Sequence, residues 1–150
     1  MKELIKENGR AIMLSIIIIA FMCIHIATRA SVPAWIIREE IYQQGIKEPE
    51  IVFAQAMLES GWGKCTSCSL SNSNNIFGFT SSKVISFSNW RQSVRYYCEW
   101  QESRYPGGDY FQFLCQYWGA PDMDGYIRKL VTILNSINAR ETCNFQRPKP

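Results

Sequence analysis

The sequence has one histidine, His25, and it lies inside the apolar run 11–27. The rest of the chain has no imidazole. Ser-His-Asp triads, Cys-His proteases and HExxH zinc enzymes each need histidine as base or ligand, so all three are excluded there. A second Cys-x-x-Cys pair is missing too. Cys65-Thr-Ser-Cys68 stands alone, which excludes a four-cysteine zinc site, and no βαβ pattern surrounds it to suggest a thioredoxin-type motif. We read it as a local staple and expect neither a metal nor a cofactor. Excess charge is also scarce: a net charge of +3 is too small to argue for nucleic-acid binding. Repeats, low-complexity tracts and long linkers are absent, so the 150 residues read as one domain.

What is present begins with a basic start. Lys2, Lys6 and Arg10 precede the apolar run, and Thr28-Arg29-Ala30 follow it. That order reads as a secretory signal over 1–30. The 17 residues of 11–27 also reach the short end of a membrane span, so the alternative is an anchor in the inner membrane. Either way the following domain is exported, to the periplasm, the envelope or the medium. Residues 1–30 hold four of the 16 Lys+Arg and two of the 13 Asp+Glu, which leaves twelve basic and eleven acidic residues. The basic excess therefore belongs mostly to the leader. Of the 20 aromatics 19 remain, a surplus that suits a core and also a groove for sugar rings. Five cysteines remain as well. In an oxidising compartment two disulfides and one free thiol are expected, with the pairing open.

Residues 31–145 read as one compact unit followed by the polar tail 146–150. A helix is predicted over 33–44, capped by Ser31 and stopped by Gly45, and another from Pro49 to about Gly61. Residues 76–80 and 84–87 flank the polar turn Ser81-Ser82-Lys83, which predicts a small β-hairpin. Ser88 is the expected cap of a helix through Trp90 and Trp100. A short helix over 109–118 and an amphipathic one over 125–137 follow. The fold class is therefore mainly α with a small β-hairpin lobe, an α+β arrangement.

One segment carries a chemical signal. Glu59 ends an apolar helix just before the turn Gly61-Trp62-Gly63. The negative end of the helix dipole and a neighbouring indole both disfavour an ionised carboxyl. Both raise its pKa, which suits a group that holds a proton near neutral pH and delivers it.

The stretch AQAMLESGWG (54–63), followed by Asn74-Asn75-Ile76-Phe77-Gly78-Phe79, resembles the glucosaminidase family of peptidoglycan hydrolases, with its pattern AQxxLExGWG and then N-[LIV]-F-G. The likeness continues through Phe87-Ser88-Asn89-Trp90, Tyr97, Tyr110-Phe111 and Tyr126-Ile127-Arg128, over roughly residues 35–138. It implies a lysozyme-like fold, two lobes facing each other across a groove, and peptidoglycan glycan strands as the partner. It also implies Glu59 as general acid on the glycosidic oxygen, with Tyr126 beside the groove. Trp62, Asn75, Phe77, Gly78 and Trp118 are the expected substrate-binding residues. The activity implied is cleavage of β-1,4 bonds, of the N-acetylglucosaminidase type, for local wall remodelling, for instance beside an envelope-spanning apparatus.

Glycosidases usually pair two carboxylates. No Asp or Glu occurs between Glu59 and Glu99. A second acid would have to be Glu99, Glu102, Asp109, Asp122 or Asp124. The preferred expectation is a single acid, helped by the substrate's own 2-acetamido group or by a held water. The rival expectations are a lytic transglycosylase and a non-catalytic wall-binding protein of the same fold.

Overall fold

The computed structural model describes residues 32–65 and 67–145, with side chains as far as Ala139. The export signal or anchor, the Ser31 cap and the polar tail fall outside the described residues. Among the described residues no helix is long and apolar enough to cross a membrane. These residues form six helices: α1 (Ala34–Gln43), α2 (Pro49–Ser60), α3 (Ser69–Ser73), α4 (Trp90–Glu102), α5 (Tyr110–Tyr117) and α6 (Met123–Phe145).

Helix α2 lies at the centre and packs against α1 and α6. Pro49 opens it, where a missing N–H leaves no intrahelical bond unmade, and Glu50 suits the positive end of the dipole. Val52, Phe53, Ala54, Gln55, Ala56, Met57 and Ser60 are all buried. A helix covered around most of its circumference has no single apolar stripe, and here alanines let its neighbours approach. Ile37 and Ile41 of α1 and Leu130 of α6 are fully buried. Each such aliphatic side chain contributes about 1.5–3 kcal/mol of burial.

Helices α4, α5 and α6 are set by side-chain caps. Asn89, one residue after the expected Ser88, accepts from Gln92 N at 3.1 Å, while Gln92 reaches back to Ser88 N at 3.0 Å. Asp109 starts α5 by accepting from the amides of Phe111 and Gln112. Asp122 accepts from Gly125 N at 2.9 Å, so α6 begins earlier than its apolar pattern suggested, and it also runs on to Phe145. Helix α3, five residues of Ser, Leu and Asn, occupies what composition marked as loop.

The β-hairpin lobe does not form. Only an isolated bridge joins Thr80 to Val84. The turn stands where it was expected and Ile85 N donates to Phe79 O across it, but the rest of the flanking backbone is bonded to side chains and to the end of α3. Asn75 Nδ2 donates to Phe79 O at 2.8 Å and to Ile85 O at 2.9 Å. Phe87 N donates to Ser73 O, and Gly78 sits at φ +70°, where no strand continues. The described chain is thus mostly helical. Cys65, Cys68, Cys98 and Cys115 are free thiols, so the expected disulfides are not found among them. Cys143 lies beyond the described side chains.

Candidate active site

Glu59 occupies the last turn of α2, and the three residues after Ser60 hold that turn firmly. Gly61, Trp62 and Gly63 all take positive φ, at +56°, +60° and +73°. An L-residue resists this region by about 1–2 kcal/mol, so the two glycines frame a tryptophan forced to comply. Gly63 admits no side chain, because a Cβ there would lie 2.2 Å from Val32 O. Ser60 Oγ donates to Ala56 O at 2.5 Å and accepts from Gly63 N at 3.0 Å, tying helix to turn. The position of Glu59 is therefore a property of the central helix.

Its carboxyl faces a cleft of about 430 Å³, bounded by residues 77–80 on one side and 117–121 on the other, with Trp100 and Tyr126. Burial pushes the Glu59 carboxyl above the usual carboxylate range, against hydrogen bonds from Tyr126 and Trp118 that favour its ionised form. Burial and the adjacent carboxylate push the Tyr126 hydroxyl up in turn, so it stays a proton donor. Gly78 lies against the acid: a Cβ there would come 3.4 Å from Glu59 Oε2. Aromatic rings make the walls. Phe79, Trp100 and Trp118 meet edge-on with centroids 5.5–5.9 Å apart, and Trp118 stacks on Tyr126 at 6.4 Å. A half-buried acid whose burial favours its protonated form, beside an aromatic cleft, can deliver that proton to a bound substrate.

Of the residues expected from sequence, Glu59, Phe77, Gly78, Trp118 and Tyr126 line this cleft together. Trp62 and Asn75 do not. Trp62 packs against the core, and the indole on Glu59 is that of Trp118. Asn75 is fully buried, and its side chain bonds the backbone of the 75–87 loop from within. Phe79, Thr80, Trp100 and Pro121 line the cleft and were not singled out. Phe79 stands in the quoted motif, and Trp100 lies on the helix expected after Ser88.

Glu59 is the one carboxylate among the residues lining the cleft. The other candidate acids are placed elsewhere. Asp109 and Asp122 cap helices, Glu99 and Glu102 are exposed on α4, and Asp124 faces a second hollow between α5 and α6. That hollow is roomier, about 740 Å³, and is lined by Phe111, Cys115, Ile127 and Arg128 beside Asp124. The buried acid and the aromatic walls come together in the narrower cleft. No group of three or more metal-ligating side chains occurs among the described residues.

In comparisons with known proteins, the model of the glucosaminidase family, described as mannosyl-glycoprotein endo-beta-N-acetylglucosaminidase, matches residues 34–139. No curated protein and no solved structure matches the chain.

Proposed function

The chain belongs to the glucosaminidase family, and we propose that it is a peptidoglycan hydrolase that cleaves β-1,4 bonds of the glycan strand as an N-acetylglucosaminidase, with Glu59 as general acid. One observation carries this reading. Glu59, held by Tyr126 and Trp118, is the carboxylate of an aromatic-walled cleft in a chain of that family. Aromatic faces suit the apolar faces of sugar rings, and a lysozyme-like two-sided groove describes the arrangement. Glu59 protonates the glycosidic oxygen as its bond to the anomeric carbon breaks. With no second carboxylate along the cleft, the substrate's 2-acetamido oxygen attacks that carbon, and water then opens the resulting ring and returns a proton to Glu59. Such an enzyme works outside the cytoplasm, on the wall, after export directed by residues 1–30.

A single acid also serves a lytic transglycosylase, in which the muramic acid's own 6-hydroxyl replaces water. Mass spectrometry of products from purified peptidoglycan separates the two. We expect hydrolytic muropeptides from the wild type and none from Glu59→Gln. Products lighter by one water would assign the transglycosylase. Wall binding without any released product would assign a non-catalytic role.

A further inference from the structure

A file of buried polar side chains runs from the far end of α4 to the cleft, and its direction can be worked out bond by bond. Lys47 fixes the start. Its backbone N–H donates to Gln101 Oε1 at 2.7 Å and its carbonyl accepts from Gln101 Nε2 at 2.8 Å, so the Gln101 amide has one setting. The second Nε2 hydrogen goes to the Tyr110 hydroxyl at 2.8 Å. Tyr110 in turn donates to Tyr97, whose oxygen is 2.7 Å away, because the Tyr97 proton is given to Gln55 Oε1 at 2.6 Å. With its oxygen so engaged, the Gln55 amide turns Nε2 to the Tyr126 hydroxyl at 3.2 Å. The proton of Tyr126 is then left for Glu59. Gln55, Tyr97, Gln101 and Tyr110 are all buried, and none of them lines the cleft.

We infer that Gln55 and Tyr97 are positioning residues which commit the Tyr126 hydroxyl proton to Glu59, so that the acid's own proton is offered to the cleft and not to Tyr126. The reverse setting of one amide would undo this. With Gln55 Oε1 toward Tyr126, the tyrosine would donate to Gln55 and accept from Glu59, holding the acid proton inside the protein. Tyr97 prevents that setting. The inference rests on the reading of Glu59 as general acid. The groups facing Glu59 are Tyr126 from α6, Trp118 from the end of α5 and the 77–80 loop, which brings no titratable side chain.

The test measures turnover of soluble glycan oligomers from purified wall across pH, with folding checked by circular dichroism. In Tyr97→Phe residue 97 no longer imposes either amide setting. Pairing of the Glu59 proton with Tyr126 then favours the wrong one, and kcat falls about tenfold with KM little changed. Because the ionised acid loses a donor, the alkaline limb also moves to higher pH, which a merely structural defect would not cause. Tyr110→Phe removes an equally buried hydroxyl but leaves Tyr97 donating to Gln55, so the limb stays. Adding Gln55→Met to Tyr97→Phe removes the competing acceptor and brings the limb back. Should Tyr97→Phe fail to fold, Gln55→Glu replaces it: ionised, it accepts from both tyrosines, and turnover disappears above its own ionisation and returns below. A folded Tyr97→Phe with the wild-type limb, or a Gln55→Glu with the wild-type profile, overturns the inference. If Glu59→Gln is inactive in the same assay, only the positioning role has failed. If Glu59→Gln is active, the reading of Glu59 as general acid has failed.

Discussion

Glu59 is stabilised in its protonated form by the fold, and this has a consequence for stability as well as for chemistry. Burial raises its folded-state pKa above the unfolded value. Between the two values the native chain keeps a proton that the unfolded chain has lost. Stability therefore falls as pH rises through that window, by up to about 1.4 kcal/mol per pH unit, and is fully present below it. Glu59→Gln removes this dependence. In urea titrations the variant is expected to be more stable than the wild type at pH 7.5 and equal to it at pH 4. A variant less stable at both would show that the carboxylate is favoured by the fold. Glu59 was legible in the sequence because a charged residue ending an apolar helix before two glycines is locally unfavourable. Its partners were not. Trp62 is three residues away and Trp118 follows another helix, and only packing decides which indole reaches the acid.

The loop between α3 and α4 is organised chiefly by one side chain. Asn75 donates to two carbonyls and accepts from Phe79 N at 3.0 Å, three bonds from a fully buried amide. Asn75→Ala leaves these groups without partners at a cost of about 2 kcal/mol. We expect a lower urea midpoint, and faster proteolysis within 79–87 than at any helix. Unchanged cutting there would assign the loop's order to the Phe79 aromatic contacts instead. This side chain also explains the failed hairpin. Alternating apolar residues around a polar turn do predict strands, but the pattern says nothing of a buried amide that binds the Phe79 and Ile85 carbonyls from within, beside the cross-turn bond from Ile85 N to Phe79 O. The helices were legible because proline, glycine and Asx residues punctuate them. Helix α3 was not, since Ser and Asn suit both a loop and a single turn of helix.

At the scale of the molecule, the described residues are held together by helix packing and not by cross-links. The described thiols are free, Cys115 at the surface and Cys98 buried, its thiol raised chiefly by burial. A reductant should therefore leave the melting temperature and the activity unchanged. A drop in melting temperature under dithiothreitol would reveal a disulfide. Cysteine number alone had suggested pairing, because it carries no information on distance. The arrangement of the cleft was only partly readable for a similar reason: the motif carries Glu59 and residues 77–79, whereas Trp100 comes from a helix with ordinary core spacing and Trp118 from the segment just after α5. Gln55 and Tyr126, bonded side by side, stand 71 positions apart in the chain. A ribosome adds about 5–20 residues per second from the amino terminus, so Glu59 exists for seconds before its tyrosine is made. During that interval the chain carries the acid without the cleft, and the order of synthesis makes the last helix the step that arms it.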